Sequence, residues 1–417
     1  MDKQEKVLYV TPVLLYPAAG GPALRVESSV KALSKICDLH IIARRSKYQT
    51  GGNVAIAFYK KLCSNLEFVP LERYNFPAYL FRKFIGLGRR ILGRSIDPIN
   101  LYPVNLIDAM FVINYAKKHS INIIWFSFGN ISYGIIKLVK SLNPKLKLIC
   151  DTDSVWSRFI LRELPYEMDP KRKREIEEEG HKKQKEEIGW VKMCDVTTAV
   201  SEVDADFYRE LTDSPEKIMP FSNVIDLDSY TSYQKPPAGF KKPAIFVAGT
   251  FYHNSPMEKA TRWFIQDVFP IVKANVPDVH LYVIGIGSDT TLKDIDDPSI
   301  TVTGLLDTVL PYLYNSDVSI VPLSFESGTR FKILEAGACG IPIVSTTLGA
   351  EGIPIENGLN ILIADQAEDF AMAVVKIIKD KAFAKEMAAN CRILTENNYS
   401  IQHLMKEGKS ILNFCQN

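Results

Sequence analysis

The chain has 417 residues, of which 47% are hydrophobic and 24% charged, and Lys plus Arg exceed Asp plus Glu by two. That length accommodates two domains of about 200 residues each, and the balanced charge excludes a global electrostatic argument for nucleic acid as a partner. The seven cysteines (Cys37, Cys63, Cys150, Cys194, Cys339, Cys391 and Cys415) are odd in number, scattered and never spaced as CxxC, which argues against a disulfide framework or zinc cluster and for a reducing compartment. The first residues turn directly from polar to strand-like, with no basic start followed by an apolar region and a small-residue cleavage site. No run reaches the roughly 20 apolar residues of a membrane span. The expectation is a cytoplasmic protein.

In chain order, Lys6 to Pro12 reads as a buried strand, and a loop ending in Ala19-Gly20-Gly21-Pro22 follows. An amphipathic helix comes next, with Leu24, Val30 and Leu33 on its apolar face and Arg25, Glu27 and Lys31 on its polar one; Leu39 to Ala43 is the second strand. Strand, Gly-rich turn, helix and strand make a Rossmann-type opening, although G-x-G-x-x-G is absent and Gly20-Gly21 on spacing alone is a turn. The stretch 76–95 carries Arg82, Lys83, Arg89, Arg90 and Arg94 with no acid, interleaved with Phe81, Phe84, Ile85, Leu87, Ile91 and Leu92. It reads either as a basic amphipathic helix for an anionic membrane surface or as a core helix with a basic outer face. Gly86 and Gly88 weaken any helix there.

Ile121 to Phe126 and Leu146 to Cys150 read as further parallel strands. Asp151-Thr152-Asp153 then matches DxD, a spacing too common by chance to indicate a metal site. Asp169 to Glu187 is a mixed-charge run that reads as an exposed helix, and His181 within it has no ligand-spaced partner. Val196 to Ser201 gives a strand and a helix cap. Lys235 to Pro243, rich in proline and basic residues, is the best linker. A second set of alternating strands and helices follows: strands at Ala244 to Gly249, His280 to Gly285 and Ile300 to Gly304, helices at Pro256 to Val272 and from Leu310.

The most informative stretch is Val318 to Gly352. Val318 to Leu323 is a buried strand, Ser324 to Thr329 a polar loop, and Arg330 to Cys339 a helix with Phe331, Leu334 and Ala338 at helical spacing; Gly340 ends it, and Ile341 to Val344 is the next strand. The loop brings Gly328, Thr329, Arg330 and Lys332 to a helix N-terminus, where unpaired N–H groups and the helix dipole favour an anion. Glu335, on the face of Lys332, suits sugar hydroxyls beside a phosphate. The plain alternative is a surface helix with a Lys332–Glu335 pair.

The string GTRFKILEAGACGIPIVSTTLGAEGI, residues 328–353, resembles the C-terminal signature of family-4 retaining glycosyltransferases of the GT-B fold. It is closest to a subgroup of bacterial sugar transferases with a GTRxKxLEA motif. The resemblance implies an α/β fold of two Rossmann-like domains with parallel sheets facing across a cleft and a C-terminal helix crossing back to the N-terminal domain. The expected division is 1–235 for the acceptor side, 242–395 for the donor side, and 396–417 for the returning helix.

What the resemblance implies for function is transfer of a sugar, with retention, from a nucleotide-diphosphate sugar to a glycan or lipid-linked acceptor in cell-surface polysaccharide or glycoconjugate synthesis. No metal or other cofactor is expected, and residues 76–95 would meet the inner face of a membrane. Arg330 and Lys332 would carry the catalytic charge. Glu326 would lie near the transferred sugar, although an E-x7-E spacing would put Ser327 there. Asp153 would stand where the family often has a His. Gly20, Gly21, Gly249, Asn254, Gly328, Thr329 and Glu335 would bind the donor, with Glu335 on its ribose. Thr250 follows Gly249 where many members have Arg. Two other readings stay open: a non-catalytic nucleotide-sugar-binding scaffold, and another GT-B reaction such as a sugar-nucleotide epimerase or a phosphorylase.

Overall fold

The structure, a computed structural model, describes residues 5–18, 20–44, 51–69 and 103–416. The basic stretch 76–95 lies outside the described residues. The chain divides into two compact units. The first comprises Met1–Ser157, Arg174–Phe221 and Leu404–Asn417; the second comprises Arg158–Lys173 and Ser222–His403.

The first unit is built on seven strands, β1 (Lys6–Thr11), β2 (Asp38–Ala43), β3 (Asn65–Phe68), β4 (Ile123–Ser127), β5 (Lys147–Asp151), β6 (Val196–Ala199) and β7 (Ile218–Pro220). They pair in parallel in the order β3-β2-β1-β4-β5-β6-β7. The central strands are apolar almost without interruption, as a sheet covered on both faces requires: every residue of β4, IIWFS, is buried. Val7 lies beside Leu39 on one side and Ile123 on the other. The segments between the strands carry α1 (Gly21–Leu33), α2 (Gly52–Lys60), α3 (Pro103–His119), α4 (Gly129–Leu142), α5 (Trp156–Leu161), α6 (Pro170–Met193) and α7 (Glu202–Arg209), of which α5 beyond Ser157 and α6 up to Lys173 belong to the second unit. Ser201 caps α7, its Oγ accepting from Asp204 N.

Two expectations need correction here. Arg25, placed on the polar face of α1, is 2% exposed. The mixed-charge helix α6 is exposed along most of its length, but Glu187 is fully buried. Its Oε1 accepts from Ser157 N at 3.0 Å and its Oε2 from Ser157 Oγ, so this carboxylate caps the first turn of α5.

The second unit has six strands, β8 (Ala244–Ala248), β9 (His280–Ile284), β10 (Ile300–Val302), β11 (Val318–Val321), β12 (Ile343–Ser345) and β13 (Leu362–Ile363), in the parallel order β10-β9-β8-β11-β12-β13. The predicted single helix after β8 is α8 (Pro256–Trp263), a π segment over Phe264–Val268 and then α9 (Phe269–Asn275). The π segment ends two residues before Pro270, which has no N–H to donate to an α-helical ladder. Two short helices follow, α10 (Ser288–Thr291) and α11 (Leu310–Leu313). Beyond β11 come α12 (Phe331–Ala338), α13 (Ala367–Lys379), α14 (Lys381–Asn398) and α15 (Ile401–Gln416). Pro342 precedes β12, so it takes no donor from the ladder, and its carbonyl accepts from Ser319 N at 2.9 Å.

Residues 222–234, ahead of the proline-rich linker, also pack within the second unit: Tyr233 Oη donates to Asn315 Oδ1 at 2.7 Å, and Asn315 Nδ2 donates to Gln234 O at 2.9 Å. From Leu404 onward α15 belongs to the first unit, where Gly408 lies against Leu33, Ile36 and Phe221. Among the described residues no helix is long and apolar enough to cross a membrane.

Candidate active site

In an open parallel sheet the crossovers on either side of the point where strand order reverses leave in opposite directions, and a crevice opens outside the carboxyl ends of the strands there. In the second unit that point lies between β8 and β11. The two loops that flank it are 249–255 and 322–330, which contain most of the residues singled out from the sequence.

The first loop is held by its neighbour strand. Gly249 N donates to Ile284 O at 3.0 Å and Phe251 N to Ile286 O at 2.8 Å. This close approach depends on Gly285, whose φ is +133° and whose missing Cβ would stand 1.8 Å from Gly249 O. Asn254 takes φ +61°, a left-handed conformation asparagine tolerates. Ser255 then caps α8, its Oγ accepting from Glu258 N at 3.1 Å, while Glu258 Oε2 accepts from Asn254 N at 2.5 Å. That is a variant of the capping box.

The second loop ends at Gly328, with φ +85°, and Thr329, whose carbonyl accepts from the buried Asn223 Nδ2 at 3.4 Å. Arg330 is the N-cap of the eight-residue α12 and is 4% exposed. Its Nε faces Glu326 Oε2 at 3.1 Å, without hydrogen-bond alignment, and its Nη2 donates to Leu348 O at 3.4 Å. Arg330 Nη1 is buried with no hydrogen-bond partner among the described residues, as is Ser327 Oγ. A buried donor on a charged group is expensive to leave unpaired, and an anion in the crevice would satisfy it.

Lys332, half-buried, points its ammonium at Met257 Sδ, 2.9 Å away, a weak acceptor. Burial pushes its pKa below the usual lysine value, against the opposing pull of Glu326 and Glu335. The Cβ that Gly249 lacks would stand 2.7 Å from Met257 Cγ, so Met257 touches both the first loop and Lys332 of α12. Glu335 accepts from Tyr230 Oη at 3.0 Å; burial raises its pKa, while Tyr230 and Lys332 pull the other way.

Gly249, Asn254, Glu326, Gly328, Thr329 and Arg330 thus lie on the two loops, and Lys332 and Glu335 on the first half of α12. Gly20, Gly21 and Asp153 belong to the first unit. Gly20, at φ +81°, is the N-cap of α1, and Gly21 its first residue. Asp153 follows β5, and its Oδ1 accepts from Trp156 Nε1 at 3.1 Å; burial raises its pKa more than Trp156 and Arg25 lower it.

Asp151, the other half of the DxD match, is fully buried and ion-paired with Arg25, and Thr198 Oγ1 donates to it at 2.7 Å. Arg25 Nη2 also donates to Thr152 O at 2.9 Å and Phe221 O at 3.2 Å. Sequence reasoning missed Arg25, Tyr230 and Met257 as functional neighbours, since no local pattern distinguishes them from surface or core residues.

Two doubly wound units with all-parallel sheets are the GT-B architecture. Residues 242–380, within the second unit, match the family model described as Glycosyl transferases group 1. A protein of Klebsiella pneumoniae described as an uncharacterized 44.6 kDa protein in cps region is 26% identical over 164 residues, 37% of this chain. The match spans 42% of that relative's length. Among solved structures, HepE from Anabaena in complex with UDP and glucose has a TM-score of 0.65 at 12% identity, covering 98% of this chain and 99% of that one. TarM from S. aureus, in complex with fondaparinux, alpha-GlcNAc-glycerol and UDP, has a TM-score of 0.65 at 13% identity, covering 98% and 100%. At such identities these two likenesses concern the fold.

Proposed function

We propose that the chain is a glycosyltransferase that moves a sugar, with retention of anomeric configuration, from a nucleoside-diphosphate sugar to a glycan or lipid-linked acceptor. The observation that carries this reading is the buried Arg330 Nη1 at the start of α12, which has no hydrogen-bond partner among the described residues, with Lys332 two residues on and Glu335 on the same helix. The diphosphate takes the donors of Arg330, Lys332 and the first N–H groups of α12; Glu335, held by Tyr230, accepts from the ribose. The leaving nucleoside diphosphate gains negative charge as the glycosidic bond breaks, and fixed positive groups stabilise that charge without reorganising. Glu326, ion-paired with Arg330, faces the transferred sugar.

The reaction we propose is independent of metal ions, a reading supported by the engagement of Asp151 with Arg25. The group 1 domain match and the UDP-bound structural neighbours agree with a nucleotide-sugar donor. Synthesis of cell-surface polysaccharide or glycoconjugate is the setting we favour, in line with the cps-region relative.

The test is calorimetric titration of the protein with UDP, GDP, ADP and CMP, with and without a divalent cation. The expected result is metal-independent binding of one of the nucleoside diphosphates, lost in Glu335→Ala. Binding that requires the cation would overturn the metal-independent site, and binding of none would favour a scaffold.

A further inference from the structure

Arg158–Lys173 belongs to the second unit although its flanks, Ser157 and Arg174, belong to the first. The contacts that place it there converge on three consecutive residues of the loop 322–330. Arg162 Nη1 donates to the carbonyl of Glu326 at 2.7 Å. Tyr166 Oη donates to the carbonyl of Ser324 at 3.1 Å, and its ring stacks on Phe325 with centroids 5.5 Å apart. Lys259 bridges the two, its Nζ 3.5 Å from Glu163 Oε1 and 5.0 Å from the centroid of the Phe325 ring.

Arg162 is itself fixed. Its Nη1 and Nη2 donate to the two oxygens of Glu351, each at 2.7 Å, and Arg158 Nη2 donates to Glu351 Oε1 at 3.0 Å. A bidentate guanidinium–carboxylate pair has a set plane, which a lysine cannot reproduce. Burial alone would raise the pKa of Glu351, but the two arginines overcome it and hold the carboxyl below its ordinary value. The loop itself has no helix or strand hydrogen bonding between Val321 and Phe331. It therefore depends on side-chain ties to keep one conformation.

We propose that Arg162, seated by Glu351, is a positioning residue: by fixing the Glu326 carbonyl it holds the loop that presents Glu326, Ser327 and Arg330 to the donor, with Tyr166 as a second tie. This inference rests on the reading of that loop as the donor loop. Arg162 touches no substrate in this scheme. Its effect is to keep the loop ordered before the donor arrives, so that binding does not have to order it.

The experiment compares full-length wild type with Arg162→Ala, Arg162→Lys, Glu351→Gln and Tyr166→Phe, by hydrogen exchange and by calorimetric titration with UDP, GDP, ADP and CMP. Amides of 322–330 should exchange about tenfold faster in both Arg162 variants, with β8, β9, β11 and β12 unchanged. Arg162→Lys should fail to rescue, and affinity for the nucleotide that wild type binds should fall about tenfold with a less favourable entropy. Tyr166→Phe should show a smaller change confined to the same amides, which decides the matter if the Arg162 variants do not fold. Unchanged exchange in 322–330, or faster exchange spread evenly over the sheet, would overturn the inference. Absence of binding of UDP, GDP, ADP and CMP alike to wild type would instead sink the donor reading, while the exchange measurements still decide what Arg162 does.

Discussion

Glu335 sits between two opposing influences, burial that favours its neutral form and a Tyr230 hydroxyl that favours its ionised one. Removing the hydroxyl in Tyr230→Phe leaves the first unopposed on that side, so the carboxyl pKa rises further. If the carboxylate form binds the ribose, the acid limb of nucleotide affinity should move to higher pH in the variant, with affinity at pH 8 nearly intact. Calorimetric titration across pH 5 to 8 checks this, and superimposable profiles would show that Tyr230 does not tune Glu335. A tyrosine about a hundred positions upstream is invisible as a partner from the sequence. The helix, the charged groups at its start and the carboxylate are legible because all three fall within one strand–loop–helix unit. Arg25 was misread for a related reason: helical periodicity assigns a charge to the solvent face, and nothing local announces a buried Asp151 waiting for it.

The elements themselves are legible where both faces of the sheet are covered. Apolar runs such as LYVT, IIWF and HLYVI have no other use in a chain of this composition, and β1, β4 and β9 fall on them. What they do not reveal is how the loops at their ends interlock. Gly285 is the case in point: any side chain there meets both a φ of +133° and the Gly249 carbonyl. Gly285→Ala should cost about 1–3 kcal/mol and displace the loop after β8. Lower denaturation midpoints together with weaker nucleotide binding would bear this out, and an unchanged midpoint would show that the two loops separate freely.

The cap that Glu187 gives α5 makes a second prediction. Burial raises its pKa to about 6 from 4.5, more than the opposing Ser157 hydrogen bonds lower it. A raised carboxyl pKa contributes stability that is fully present below pH 4.5 and is lost as pH rises through about 6. The amount at stake is about 2 kcal/mol, at roughly 1.4 kcal/mol for each tenfold change in proton affinity. Glu187→Gln should flatten the melting temperature of the protein between pH 4.5 and 7. An unaltered slope would mean the carboxylate is better solvated than its burial suggests.

At the scale of the whole molecule, alternation of strand and helix announces two α/β halves, but not how the chain is shared between them. The four transitions at 157/158, 173/174, 221/222 and 403/404 follow from tertiary contacts that no composition shift marks. Within the first unit Leu404, Ile411, Leu412 and Cys415 are at most 4% exposed. A chain stopped at His403 would lose their burial, worth roughly 1.5–3 kcal/mol for each large aliphatic side chain. Calorimetry should then show the first unit melting well before the second; a shared, unshifted transition would mean the last helix adds little.

The same sharing bears on synthesis at the ribosome. Domains made in series ordinarily fold in the order they emerge. Here Leu404–Asn417 is translated after all of the second unit, so the site around Leu33, Ile36 and Phe221 stays uncovered throughout that interval. The half that is made first is therefore the half that is finished last.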